Sequence, residues 1–177
     1  MKDDTVVALS VLREAVRNEL DGKAMYLQAA ESTTDELGKG MFRSFAEEEE
    51  QHIHVLQVQY TQVNESQEWV DLDAARQEPR DPRLVLFPQE EGEIKEIIPQ
   101  GTSDLEALQI AMDFEKRAVR MYEQAASDTE DPTAQAFYRE LAEWEGKHYE
   151  ILDNSHDYLA NEGEWYFQEQ EMPFYIG

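Results

Sequence analysis

Six residues that could bind metal ions occur in this chain as two sets of three, at matching positions of an internal repeat. Each set has a glutamate and, 30 residues later, a Glu-x-x-His motif. The sets lie 96 residues apart with no gap, and they are Glu19, Glu49 and His52, then Glu115, Glu145 and His148. Carboxylate and imidazole ligands without a thiolate suit iron or manganese. Two copies at one offset predict a site for two metal ions.

The repeat extends well beyond these six residues. Between 16–56 and 112–152, 14 of 41 aligned positions are identical, including the pair Tyr26 and Tyr122. Two copies are too few for an open repeat array, which needs about three. They are enough for a closed bundle whose halves are related by an approximate two-fold axis.

The apolar pattern predicts four long helices, at about 5–30, 35–63, 103–126 and 132–159. On each helix the inward-facing residues recur every three or four positions and form one stripe. In chain order these residues are Leu12, Ala15, Glu19, Gly22, Tyr26 and Ala29; Phe42, Phe45, Glu49, His52 and Leu56; Leu108, Ala111, Glu115, Ala118, Tyr122 and Ala125; Tyr138, Leu141, Glu145, His148 and Leu152. All four glutamates should therefore point into the centre.

Short connections make each consecutive pair of helices an antiparallel hairpin. We predict an all-α, ferritin-like four-helix bundle that is one domain over 1–177, made of a hairpin at 5–63, a crossover at 64–102, a hairpin at 103–159 and an aromatic tail at 160–177. The long crossover lets the third helix start at the same end as the second. We expect the apolar residues 84–87 and 97–98 of the crossover, and the tail, to pack on the bundle or on a partner chain.

Four ionised carboxylates in an apolar interior would be very unfavourable without compensating charge. Two divalent cations supply four positive charges, and two neutral histidines complete the ligand set. One glutamate from each of two helices and a Glu-x-x-His from each of the others is the arrangement of di-iron and di-manganese bundles. A carboxylate that shifts or takes up a proton would also act in catalysis, so the candidate catalytic residues are Glu19, Glu49, Glu115 and Glu145.

Several of these features have plainer interpretations. Residues 47–50 alone would be a solvated helix face, and a single Glu-x-x-His motif occurs often by chance. His54 and His156 have no repeat partner and are expected at the surface or near the ligands. Tyr26 and Tyr122 are expected mainly to pack the core, with hydrogen bonding to a ligand or electron relay as the second possibility.

Two further expectations concern the surroundings of the site. Gly22 and Ala118 lie one turn from Glu19 and Glu115, and as small residues they could leave room for dioxygen or peroxide. Trp144 is expected to pack on another face of its helix.

The composition excludes several other classes of protein. A net charge of -25 argues against nucleic acid and anionic membranes as partners. No apolar run approaches the roughly 18 residues of a membrane span. The chain has no cysteine, which excludes disulfides and thiolate-bound metals. The acidic residues 1–4 do not suit a secretory signal, so we expect a cytoplasmic protein; adaptation to salt is another possible reason for the acidity.

Three segments resemble helix motifs of the rubrerythrin-like branch of the ferritin-like superfamily. They are Phe-Ala-Glu-Glu-Glu-Glu-Gln-His at 45–52, Glu-x-x-Ala-x-x-Met-Tyr at 115–122 and Leu-Ala-Glu-Trp-Glu-Gly-Lys-His at 141–148. The resemblance covers both hairpins and implies a di-iron protein that reduces peroxide. Ala118 and Lys147 stand where rubrerythrins proper have further glutamates, and the cysteine-bearing rubredoxin domain is missing. This implies a simpler, more symmetric site and a separate electron-donor protein. The ligands are also similar to those of bacterioferritin.

Three functions remain open at this stage. The first is a di-iron oxidoreductase, with two iron ions or manganese, that reduces peroxide or dioxygen. The second is a ferroxidase that stores or delivers iron, and the third is a protein in which metals only stabilise the fold. The crossover and the tail lead us to expect a homodimer.

Overall fold

The computed structural model describes residues 2–80 and 97–162, and within these ranges every regular element is a helix. The elements are α1 (Lys2–Ser32), α2 (Glu36–Ser66), α3 (Leu72–Gln77), α4 (Asp104–Asp128) and α5 (Pro132–Glu162). The four long helices are the four predicted ones, each ending within a few residues of the expected position. The short helix α3 lies in the predicted crossover and was not foreseen, because six residues show too little periodicity.

Side-chain caps set where three of the long helices begin. The Asp35 carboxylate accepts hydrogen bonds from two backbone N–H groups in the first turn of α2. Ser103 and Glu106 form a reciprocal capping box at the start of α4. Asp131 accepts from two backbone N–H groups at the start of α5, where Pro132 occupies the first turn. These caps fix the register of the helices and so the height of their glutamates in the bundle.

The long helices pack as two hairpins, α1 with α2 and α4 with α5, and α1 also contacts α4. Two apolar clusters fill opposite ends of the bundle. The first includes Leu12, Leu56, Tyr122 and Leu141, and the second includes Met25, Phe42, Leu108 and Leu152. Because the second cluster takes residues from the first halves of both α2 and α4, these helices begin at the same end. The predicted ferritin-like bundle is confirmed.

Every residue predicted to face inward on the long helices is buried. Ile98 is also buried, and the backbone N–H groups of Ile97 and Ile98 donate to Gln28 Oε1 at 2.8 and 3.0 Å, so this part of the crossover packs on the bundle. The expectations for residues 84–87 and for the tail from residue 163 onward fall outside the described residues. Among the described helices, none is long and apolar enough to cross a membrane.

Candidate metal centre

The six candidate ligands form one buried layer between the two apolar clusters, which we call the central layer. Glutamates of α1 and α4 and the Glu-x-x-His pairs of α2 and α5 all enter it. The exposed fractions of its members range from 0 to 4%, and the members are Glu19, Glu49, His52, Glu115, Glu145 and His148. The structure thus brings all six sequence-predicted site residues together.

The side chains of the central layer fall into two overlapping groups that could each hold a metal ion. One group is Glu19, Glu49, His52 and Glu145, and the other is Glu49, Glu115, Glu145 and His148; within each, one ligand atom from every residue lies within 4.8 Å of the others. Glu49 and Glu145 belong to both groups, so their carboxylates could bridge two adjacent ions. Three carboxylates and one imidazole at each position are a donor set that suits iron or manganese.

Both histidines turn the same ring nitrogen toward the carboxylates. The Nδ1 atom of His52 lies 3.1–3.2 Å from three carboxylate oxygens. The Nδ1 atom of His148 lies 3.4–3.6 Å from three carboxylate oxygens. Nδ1 is therefore the candidate ligand atom in each ring.

Several atoms of the central layer have no hydrogen-bond partner among the described residues. They are Glu49 Oε1, Glu115 Oε2, Glu145 Oε1 and His148 Nδ1. Most buried polar atoms have a partner, and leaving one without a partner costs roughly 1–3 kcal/mol. Metal ions bound to these atoms would compensate this cost, so the residues present fit a two-metal centre.

Burial and mutual repulsion divide the four glutamates into two pairs. Burial and the charge of Glu145 raise the pKa of Glu115 to about 8, and burial with the charges of Glu145 and Glu49 raises the pKa of Glu19. For Glu49, burial would raise the pKa, but hydrogen bonding to Glu19 and the charge of His52 lower it overall. The pKa of Glu145 is lowered as well, because the two histidines outweigh its burial and the repulsion from Glu49.

The histidines complete the charge balance of the metal-free layer. Burial would lower the pKa of each ring, but the charges of Glu145 and Glu49 raise the pKa of His52 well above its usual range, and the close carboxylates of Glu115 and Glu145 do the same for His148. In the metal-free layer these directions favour protonated histidines beside ionised Glu49 and Glu145, with protons held by Glu19 and Glu115. Protons take the role that divalent cations would have, so metal binding must release them.

Two tyrosines link the hairpins at the central layer. The Tyr26 hydroxyl of α1 donates to Glu115 Oε1 on α4, and the Tyr122 hydroxyl of α4 donates to Glu19 Oε1 on α1. Burial and the charge of the neighbouring glutamate raise the pKa of both tyrosines, so both remain donors. Hydrogen bonding to a candidate ligand, one of the less favoured possibilities in the sequence, is the observed arrangement. Each tyrosine lies two turns from the glutamate of its own helix, and the antiparallel partner helix brings it to the other one.

Aromatic rings cover both histidines. Phe45 packs against His148 with ring centroids 4.6 Å apart, and Trp144 stacks on His52 at 4.7 Å with an interplanar angle of 24°. Trp144 packs against the first apolar cluster, as expected, but it also reaches the central layer, which its place on the helix did not indicate. Helical spacing describes only its own helix, and the histidine it meets comes from the other hairpin.

The space beside Gly22 is occupied rather than open. A Cβ atom at Gly22 would lie 3.0 Å from Phe114 Cε1 and 3.5 Å from Glu49 Cδ. The glycine is thus needed for close packing of the phenyl ring, which corrects the expectation that it leaves room for an oxidant.

The two histidines outside the repeat motifs also lie outside the central layer, as expected. His54 Nε2 lies 2.9 Å from the backbone oxygen of Glu78, and His156 Nδ1 lies 3.8 Å from Asp157 Oδ1. One contact to the layer was missed by the sequence reasoning, because residues 47–50 look like a solvated helix face. Glu48 Oε2 lies 3.1 Å from His148 Nε2.

Helical hairpins related by a repeat, with a buried carboxylate–histidine layer between them, define a ferritin-like protein with a candidate two-metal centre. The chain belongs to the rubrerythrin family, whose sequence model matches residues 10–155. Comparison with curated proteins finds no significant match. A solved structure of a hypothetical protein from Pyrococcus furiosus is 23% identical, with a TM-score of 0.65, and the alignment covers 87% of this chain and 90% of that one. This likeness supports the fold alone.

The raised pKa values predict that the metal-free protein loses stability as pH rises. Glu115 titrates near 4.5 when unfolded and at about 8 when folded. Between these two pKa values only the folded chain holds this proton. The free energy of unfolding therefore falls by about 1.4 kcal/mol for each pH unit, and the Tm falls by about 3–6 °C. The raised pKa values of the two histidines also make the folded protein less stable as pH rises above the ordinary pKa of histidine.

Thermal unfolding of chelator-treated protein from pH 5 to 9 measures this dependence. Glu115→Gln mimics the protonated carboxyl and should flatten the curve, whereas Glu143→Gln, an exposed change on α5, should not. A Tm that rises across this range would contradict the assignment.

Proposed function

We propose that this protein is a di-iron carboxylate oxidoreductase that reduces peroxide or dioxygen with electrons from a separate donor protein. The observation that carries the proposal is the buried central layer, in which two four-residue groups share Glu49 and Glu145. Membership of the rubrerythrin family supports iron as the metal, and the donor set also suits manganese.

The burial of the central layer supports a small oxidant as the substrate. No member of the layer is more than 4% exposed. Two surface clefts, of about 530 and 480 Å³, lie elsewhere and contain none of the six residues. A bulky organic substrate would need the bundle to open, whereas peroxide and dioxygen are the size of small solvent molecules.

The side chains supply orientation and proton transfer for this reaction. Two ferrous ions at the centre would supply the two electrons that, with two protons, convert hydrogen peroxide to two molecules of water. Tyr26 donates to one oxygen of Glu115, and Tyr122 donates to one oxygen of Glu19, so each tyrosine orients a carboxylate. The carboxylates of the layer, Glu19, Glu49, Glu115 and Glu145, are the candidate groups that would take up and return a proton during turnover.

The source of electrons follows from the residue types in these 177 positions. They contain no cysteine, so they cannot form the thiolate-bound iron site that donates electrons within rubrerythrins proper. We propose that another protein donates the electrons and that both proteins work in the cytoplasm.

Stopped-flow oxidation of the iron-loaded, reduced protein tests the proposal. Mixing with hydrogen peroxide should oxidise the iron much faster than the same amount of free ferrous ion, and a chemical reductant should sustain repeated turnover. Glu49→Gln should abolish the fast reaction, and Glu47→Gln, an exposed neighbour on α2, should retain it. Oxidation no faster than that of free iron would exclude the redox role. Accumulation of many irons per chain under air would favour storage instead.

A further inference from the structure

The two halves of the repeat differ at a position that contacts the central layer in both halves and is charged in only one of them. Glu48 and Trp144 are 96 residues apart, and each immediately precedes the glutamate of a Glu-x-x-His motif. Each contacts the layer's histidine on the opposite hairpin, so the two contacts are related by the repeat. The ligands match between the halves, but the residues supporting them do not.

Glu48 holds His148 by a hydrogen bond to the ring nitrogen that faces away from the carboxylates. Its Oε2 lies 3.1 Å from His148 Nε2, while Nδ1 of the same ring faces Glu49, Glu115 and Glu145. With Nδ1 as the ligand atom, Nε2 carries the hydrogen and donates it to Glu48. A carboxylate in this position fixes the tautomer and orientation of a histidine ligand and strengthens its donation to a metal.

Trp144 supports His52 in a different way. Its indole stacks on the imidazole ring at 4.7 Å, and an indole can donate but not accept a hydrogen bond through its nitrogen. The guanidinium of Arg76 lies over this indole, 5.0 Å from the ring centroid. The residue that supports His52, Trp144, is thus in contact with the positive charge of Arg76. The residue that supports His148, Glu48, is itself negatively charged.

We infer that the two metal positions are inequivalent, and that the group containing His148 binds a divalent cation more tightly than the group containing His52. Glu48 and Trp144 are the positioning residues that create the difference. Hydrogen bonding and local charge act in the same direction, because both favour a cation beside His148. This inference rests on the proposed two-metal centre. The sequence led us to expect a symmetric site, whereas the inferred site is symmetric only in its ligands.

Titration of the metal-free, full-length protein with Co²⁺, followed by calorimetry and visible absorption, tests the inference. The wild-type chain should show two resolved binding steps. Glu48→Gln should weaken the tighter step by roughly 10- to 100-fold and leave the weaker step unchanged. Glu47→Gln removes the same charge from an exposed neighbouring position and should leave both steps as they are.

The repeat provides a converse variant. Trp144→Glu places a carboxylate at the position equivalent to Glu48 and should move the weaker step toward the tighter one, whereas Trp144→Phe keeps a stacked ring and should change neither. If Trp144→Glu does not fold, Glu48→Gln alone decides. Equal weakening of both steps by Glu48→Gln, no effect on either, or two identical steps in the wild type would overturn the inference while leaving the metal centre intact. Failure of the wild type to bind Co²⁺ would overturn both.

Discussion

Replacing Glu145 with glutamine is expected to remove both metal ions, whereas the same change at Glu115 is expected to remove only one. Glu145 belongs to both four-residue groups, and Glu115 belongs to one. Removing one partner from a buried charged set costs roughly 3–5 kcal/mol, which is about 100- to 5,000-fold in affinity. Because Glu145 belongs to both groups, its replacement weakens binding at both metal positions. The retained metal should therefore fall from two ions per chain to none.

Metal analysis after extensive dialysis, with circular dichroism to confirm folding, measures this difference. Glu49→Gln is the second shared variant and should behave as Glu145→Gln does. Glu143→Gln lies on the same helix as Glu145 but is exposed, and it should keep both ions. Retention of one ion by both shared variants would show that these glutamates do not bridge, and would require a different ligand assignment.

Removal of metal is expected to lower the Tm by about 15–30 °C near neutral pH. Each ion at a free concentration 1,000 times its Kd stabilises the folded chain by about 4 kcal/mol, and two ions therefore contribute about 8 kcal/mol. At 177 residues, each kcal/mol corresponds to about 2–4 °C. The physical source is the replacement of buried protons and partnerless polar atoms by metal–ligand bonds.

Calorimetric scans of iron-loaded, chelator-treated and reloaded protein measure this effect. The shift should reverse on reloading and should disappear in Glu49→Gln, which cannot complete either group. A shift of equal size in Glu49→Gln would mean that the metal acts at another site on this acidic surface.

The part of the structure that the sequence predicts well is the part that depends on periodicity within one helix. A stripe with a spacing of three and four residues determines which face of a helix is buried, so residues such as Leu12, Glu19 and Tyr26 were placed correctly. The common offset of 96 residues then selected the six candidate ligands among 40 acidic residues and four histidines. Neither step requires knowledge of how the hairpins face each other.

The features that the sequence did not predict are contacts between the hairpins. Tyr122 reaches the glutamate of α1, Trp144 covers a histidine of α2, and Phe114 fills the space beside Gly22. Each depends on which helix lies opposite and at what height, and periodicity within a helix carries no such information. Glu48 was missed for the same reason, because a run of four glutamates looks solvated until a histidine from α5 is brought against it.

Glu48 contacts His148, and Trp144 contacts His52, in each case from one hairpin to the other. These contacts also bear on how such a chain could arise. Two separate copies of one hairpin, joined only by association, would have to carry the same residue at equivalent positions. Fusion of duplicated copies into a single polypeptide removes that constraint and lets each half diverge alone. The pairing of a carboxylate at residue 48 with an indole at residue 144 is a divergence that only the fused chain permits.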